Sequence, residues 1–239
     1  MLMIFARAGT FCAVLALLSS GCLTAQHSSP TSPRVIAIDP GHPSEVSSGA
    51  EVQNGTTEVR NNWEVALLLQ RLLRDRGYSV VMTKSSEMQM VRNVQRAQIG
   101  NRAGAALMVR LHCDASSDSG YALYYPDRQG TAEGKTGPGA DVMRRSAAAA
   151  ESLHVGMAHA LGGRLKDGGV RGDSKTLVGS RQGALTGSIF SEIPVVLIEM
   201  VTLSNEHDAR FIKSAEGKAL MARAIADGVE RYVRHADSP

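Results

Sequence analysis

Aromatic side chains make up only 4% of the 239 residues, with a single tryptophan, Trp63. So sparse a set does not build the base-stacking platform that single-stranded nucleic acids require. Charge of one sign is missing too. The 26 basic and 23 acidic residues leave a formal net charge of +3, and no clustered basic stripe marks a nucleic-acid binder. Cysteine is limited to Cys12, Cys22 and Cys113. The first two fall in the N-terminal segment, which leaves Cys113 alone and excludes an intramolecular disulfide in the body of the chain. The apolar run Phe11–Leu18 falls well short of the roughly 20 residues that a membrane-spanning helix needs. What remains, 43% hydrophobic and 21% charged, is the balance of a globular domain rather than a disordered chain.

The N-terminal segment reads as a secretory signal. Arg7 gives a positive start, Phe11–Leu18 an apolar middle, and Leu18-Ser19-Ser20-Gly21-Cys22 an end that resembles a bacterial lipobox, with Ser19 where leucine is usual. The expectation is a signal peptide over residues 1–22, acylation of Cys22, and an exported lipoprotein of the cell envelope held to the membrane by that anchor. Leu23 supplies no Asp-type retention signal, so in a Gram-negative cell the outer membrane or periplasm is the expected site. The alternative is ordinary cleavage near Ala25, with Cys22 discarded. Residues 23–33 are rich in Ser, Thr and Pro and form a polar tether.

From residue 34 to 235 strand-like and helix-like patterns alternate. Val35-Ile36-Ala37-Ile38 is a continuous apolar run, as in a strand buried on both faces. Residues 58–76 carry Val65, Leu68, Leu69, Leu72 and Leu73 at helical spacing before Gly77. Strands are predicted over 78–82, 106–111, 121–125 and 194–198, and helices over 91–103, 147–165 and 215–233. The Gly-rich stretches 127–135, 137–139 and 168–187 read as surface loops. The alternation predicts one α/β domain with a twisted, mostly parallel sheet flanked by helices on both faces.

Parallel sheets place their active sites at the carboxyl ends of strands. His42 follows the first strand, His112 ends the third, Glu199 ends the strand over 194–198, and Glu58 opens the first helix. Two imidazoles and a carboxylate form a zinc donor set with one open position, and a second carboxylate can act as base. Each signal has a plainer explanation alone: a histidine at a strand end is usually a hydrogen-bonded residue, and Glu58 suits a helix N-terminus. Glu199, after Val195-Val196-Leu197-Ile198, is harder to dismiss, because a carboxylate closing a buried strand is costly unless paired or metal-bound.

Taken together the motifs resemble the zinc-dependent N-acetylmuramoyl-L-alanine amidases of the cell wall over nearly the whole domain. The corresponding residues are Asp39-Pro40-Gly41-His42, Glu58 with Trp63 at the family's usual leucine, Arg96 with Gly100-Asn101, Arg110-Leu111-His112-Cys113-Asp114, and Pro194–Glu199 followed by Leu203-Ser204-Asn205. The resemblance implies Zn2+ held by His42, Glu58 and His112, with Glu199 as catalytic acid/base. It also implies peptidoglycan as substrate, cut between N-acetylmuramic acid and L-alanine, and a catalytic domain over 34–235. Asp39 is a candidate for orienting a ligand, against a plainer role in capping the loop. Arg110 in place of Ser, Asp114 in place of Asn, and Met200-Val201-Thr202 depart from the family and put substrate preference in doubt. Some relatives carry a regulatory helix that plugs the zinc site; here 147–165 is the candidate, with Glu151 as the masking carboxylate, against a plain packing helix. Two other readings stay open: a non-catalytic peptidoglycan-binding lipoprotein, and an amidase of small soluble muropeptides. His27, His154, His159, His207 and His235 are read as incidental, and Cys113 as a buried thiol.

The anchor is tested at Cys22. Cys22→Ser is expected to leave the protein soluble or unprocessed while the unaltered chain partitions into detergent. Identical soluble fractionation of both rules the anchor out.

Overall fold

The computed structural model describes residues 1–3 and 34–236; the apolar signal run, Cys22 and the tether 23–33 lie outside the described residues. The elements in order are β1 (Val35–Pro40), the short pair β2 (Val52–Gln53) and β3 (Thr56–Thr57), α1 (Glu58–Asp75), β4 (Ser79–Met82), α2 (Asn93–Arg102), β5 (Leu107–Asp114), β6 (Tyr121–Tyr125), β7 (Gly130–Ala132), β8 (Lys135–Gly137), α3 (Ala140–Leu161), β9 (Asp167–Gly172), α4 (Leu177–Gln182), α5 (Thr186–Ile189), β10 (Val195–Thr202), α6 (Glu206–Lys213) and α7 (Ala215–Ala236). Six strands form one sheet in the order β4-β1-β5-β10-β6-β9. The first four run parallel, β6 pairs antiparallel with β10, and β9 runs parallel to β6.

The apolar run of β1 is continuous because successive residues serve different layers. Ile36 and Ile38 enter a large core with Leu69 of α1, Leu153 of α3 and Ile225 of α7. Ala37 belongs to a smaller cluster with Met108, Ile193 and Val195, where Gly100 of α2 approaches Met108. The sheet thus carries α1, α3 and α7 on one face and α2 on the other, as the alternation predicts.

Three local expectations change. The helix read over 147–165 runs over 140–161 instead. Its first turns are polar, with Asp141 paired to Arg144 and Arg145, so apolar periodicity does not reveal them. Gly162, at φ 55°, ends it in the left-handed conformation. The stretch 127–139 holds the hairpin β7–β8, whose two turn residues, Glu133 and Gly134, both have positive φ (48° and 75°), the geometry that two-residue hairpin turns require. The stretch 168–187 supplies the edge strand β9 and two short helices; the sequence Asp167-Gly168-Gly169-Val170-Arg171-Gly172 lacks the alternation by which a strand is recognised.

Helices α3 and α7 cross at glycine. A Cβ added to Gly228 would lie 2.6 Å from Leu153 Cα, and one added to Gly156 would lie 2.6 Å from Gly228 Cα. Alanine at 228 would gain about 1 kcal/mol of helix propensity. The collision is with backbone, which no rotamer change relieves, and overpacking of this kind costs about 1–3 kcal/mol. Gly228→Ala is therefore expected to lower the urea midpoint; a higher midpoint would show that the two helices pack farther apart than described.

Candidate active site

The site is assembled on one buried carboxylate. Asp39, fully buried at the end of β1, accepts from Arg96 Nη1 at 2.7 Å, Arg110 Nε at 2.9 Å and Thr83 Oγ1 at 2.5 Å. Burial alone would raise its pKa, but the two guanidiniums and Thr83 hold it well below the usual carboxylate range. Asp39 makes no contact with an imidazole in this arrangement, so its role is to fix two arginines rather than to orient a ligand. Arg96 carries the constraint onward. It donates to Val91 O at 2.9 Å, Pro40 O at 2.7 Å and Pro43 O at 2.8 Å, clamping the loop that carries His42. Lys84 Nζ also donates to His42 O.

Within that loop His42 adopts φ 58°, an uncommon conformation for a residue with a side chain. Its Nδ1 lies 3.1 Å from Ser47 O. A carbonyl only accepts, so Nδ1 carries a proton, and in the neutral ring Nε2 is left with its lone pair. Nε2 lies 3.1 Å from Glu58 Oε2. Glu58 is the first residue of α1, behind the N-cap Thr57, and its Oε1 faces His112 Nδ1 at 2.9 Å. Cys113 N (3.2 Å) and Asn62 Nδ2 (3.4 Å) donate to the same oxygen. Burial would raise the Glu58 carboxyl, but its contacts with His112 and His42 hold it below the usual range. For His112 burial dominates and lowers the pKa, which keeps it neutral, the form that binds metal. His42 loses basicity to burial as well, but its hydrogen bond and charge interaction with Glu58 outweigh this and raise it.

His42, Glu58 and His112 offer ligand atoms that all lie within 4.8 Å of one another. The imidazole rings stand edge to face, 5.0 Å apart at an 80° interplanar angle. Two nitrogens and a carboxylate oxygen converging in this way fit a transition-metal ion and leave a coordination position open. His112 Nε2 is buried without a hydrogen-bond partner, so a demanding polar group faces a cleft rather than a satisfied core.

Glu199 pairs in register with His112 across β5 and β10. Both strands run past these residues, to Asp114 and Thr202, so the two side chains project from within strands rather than from their ends, next to a shift of register between Glu199 and Thr202. Burial, with the charges of Glu58 and Asp114, pushes the Glu199 carboxyl well above the usual range. Its Oε2 has no hydrogen-bond partner. These groups open into a cleft of about 320 Å³, whose far wall comes from Thr176, Leu177, Leu185 and Thr186. Sequence reading assigned that wall to an ordinary loop. No residue of α3 lines the cleft, and α3 packs on α7 and the sheet with Glu151 exposed, so it acts as a packing helix here and not as a plug.

Among the described residues, the remaining histidines do not line the cleft. His154 Nε2 contacts Asp167 at 2.9 Å, pinning α3 to β9, and His207 contacts Asp208 at the start of α6. Cys113 is a free, buried thiol beside Asn62 Oδ1, and burial raises its pKa well above the ordinary value, which makes it unreactive.

Gly41 gives a direct test. A Cβ there would stand 2.4 Å from His112 Cε1, so Gly41→Ala must displace the ring. Metal affinity, measured by competition with a chelator, is expected to fall at least about tenfold, the low end of what a misplaced ligand costs. Unchanged affinity would mean that His112 does not bind in this position.

The N-acetylmuramoyl-L-alanine amidase family model matches residues 36–231. The chain is 29% identical over 212 residues to N-acetylmuramoyl-L-alanine amidase LytC of Bacillus subtilis (strain 168), covering 87% of this chain but 37% of that protein. It is 23% identical to N-acetylmuramoyl-L-alanine amidase AmiA of Escherichia coli (strain K12), covering 86% of this chain and 78% of that one. Among solved structures, N-acetylmuramoyl-L-alanine amidase AmiC2 of Nostoc punctiforme superposes with a TM-score of 0.67 at 22% identity, over 84% of this chain and 97% of that chain. The apo form of Ami1 from Mycobacterium abscessus gives 0.68 at 22% identity, over 85% and 100% of the two chains. At these identities the structural likenesses establish the fold, whereas the family match spans β1 through most of α7: the chain belongs to the N-acetylmuramoyl-L-alanine amidase family.

Proposed function

We propose that this domain is a zinc-dependent hydrolase that cuts the amide between N-acetylmuramic acid and L-alanine in peptidoglycan. The observation that carries the reading is the convergence of His42, Glu58 and His112, with His42 and His112 lining one cleft with a half-buried Glu199 whose Oε2 has no hydrogen-bond partner. His42, Glu58 and His112 are the residues that would hold Zn2+. When bound, the ion supplies Lewis acidity that polarises the scissile carbonyl.

The protein groups divide the remaining work. Ser47 O holds the proton of His42 on Nδ1, which keeps Nε2 directed at the site. Glu58 is set by the helix start and by the amide of Cys113, so its position does not depend on a mobile loop. Glu199 accepts a proton from the attacking water at its carboxylate and passes it to the leaving amine of L-alanine. A carboxyl whose pKa is lifted by burial holds a proton more readily than an exposed one, and general acid/base groups work best with pKa near the working pH.

An exported, lipid-anchored location belongs to the same proposal. It is supported by Arg7, the apolar run Phe11–Leu18 and the Ser20-Gly21-Cys22 end of that segment. The anchor would bring the domain to the cell wall.

Glu199→Gln keeps the shape of the side chain and removes its capacity to take a proton. The variant is expected to fold, retain zinc and bind peptidoglycan, while release of free peptide from purified sacculi falls by about a hundredfold to ten-thousandfold. Near-normal release by the zinc-loaded variant overturns the mechanism. Loss of zinc instead makes Glu199 a ligand.

A further inference from the structure

Arg110 lines the same cleft as His112 and Glu199. It lies two residues before His112 on β5, and its partner across the strand pair is Leu197, as the partner of His112 is Glu199. Side chains two apart share a face of a strand. Arg110 and Leu197 therefore form a second rung below the rung of His112 and Glu199, about 6.6 Å further along the strand. All four residues line the same cleft.

The two arginines bound to Asp39 differ in what they leave over. Arg96 makes hydrogen bonds from Nε, Nη1 and Nη2, all to groups that shape the His42 loop. Arg110 donates Nε to Asp39 Oδ2 at 2.9 Å and Nη2 to Asn93 Oδ1 at 2.7 Å. Its Nη1 has no hydrogen-bond acceptor among the described residues. Arg96 and Arg110 share Asp39, and the Arg110 guanidinium also lies within charge reach of Asp173 and Glu199. A donor left over in the wall of a cleft is open to a partner that enters it. Nη1 lies against Gly187 of α5, where an added Cβ would come within 2.6 Å of it; glycine is what leaves space beside the donor. The internal competitor is Asp173, whose Oδ1 is also buried without a partner. Its carboxyl is instead fixed by Leu185 N at 3.2 Å, and no hydrogen bond joins it to Arg110.

We propose that Arg110 forms a carboxylate-binding subsite in the catalytic cleft, taking the free α-carboxylate of the residue that follows L-alanine in the stem peptide and discriminating against its amide. The inference rests on the amidase reading for the identity of the ligand. A peptide spans about 3.3–3.6 Å per residue when extended, so a carboxylate closing the second residue lies about 7 Å from the scissile nitrogen. The Cα spacing between the two rungs is of the same order. A guanidinium with a free Nη donor recognises a carboxylate by a charge-assisted hydrogen bond, which an amide cannot equal.

The test compares two ligands that differ in one group: muramoyl-L-alanyl-D-isoglutamate, with a free α-carboxylate, and muramoyl-L-alanyl-D-isoglutamine, with the amide. Calorimetry on zinc-loaded Glu199→Gln protein reads binding without turnover. The carboxylate ligand is expected to bind about 10–100-fold more tightly, the range of a hydrogen bond to a charged group. Adding Arg110→Lys, which keeps a cation beside Asp39 but removes the fork, should bring the ratio close to one. If that variant does not fold, Gly187→Ala, whose Cβ would crowd Nη1 and Cζ of the guanidinium, should lower the ratio by itself. Equal affinities in the parent, no detectable binding of either ligand, or a ratio that survives the substitutions overturns the subsite. Turnover of both compounds by the unaltered holoenzyme separately reports the amidase reading. Absence of cleavage with carboxylate-selective binding removes that reading and leaves the subsite standing.

Discussion

A carboxylate with no exposure to water, held between two guanidiniums, is the constraint on which the rest of this site depends. Asp39 closes β1, Arg96 comes from α2 and Arg110 from β5. Their union fixes the end of one strand, the middle of its neighbour and a helix on the second face of the sheet at a single point. The arrangement is not a cheap source of stability, because desolvating three charges costs about as much as their attraction returns. What it secures is position. Removal of one partner would strand a charge in the interior, at about 3–5 kcal/mol, so the geometry around His42 has little freedom to drift.

The histidine loop shows how that position is transmitted. His42 sits in a left-handed backbone conformation, which the chain would not choose locally. Carbonyls on either side of it, from Pro40 and Pro43, are held by Arg96. Gly49 packs so closely on the His42 side chain that a Cβ would stand 2.6 Å from His42 Cβ. A candidate ligand set drawn from a loop, a helix start and a strand is thereby held at its loop end as well, which is what a site needs to keep its reacting groups in place.

Much of this was legible in the sequence because its physical signals are local. The apolar run at Val35, the Leu spacing through α1 and the order of the motifs fixed the architecture and brought His42, Glu58, His112 and Glu199 together. The parts that escaped have a common cause. Asp39 was read as a possible ligand-orienting group because its true partners, Arg96 and Arg110, are 57 and 71 positions away, and no periodicity announces such a pairing. The polar first turns of α3 and the glycine-rich β9 carry no hydrophobic pattern. The far wall of the cleft at Thr176–Thr186 read as an ordinary loop for the same reason; its glycines are required by close approaches, as at Gly187 over Arg110, which depend on residues far off in the chain.

The strand order has a consequence for the time course of folding. β10 lies between β5 and β6, yet it is made about 70 residues after them. β5 and β6 cannot close against each other in the finished arrangement; the gap between them must stay open until the last strand enters. Non-local pairings of this kind are slow, because chain entropy is lost before the contact that rewards it forms. Glu199 arrives with that strand. A nascent chain therefore holds the three candidate metal ligands from its first half without the carboxylate opposite them, and the hydrolytic constellation comes into being only when the sheet is completed.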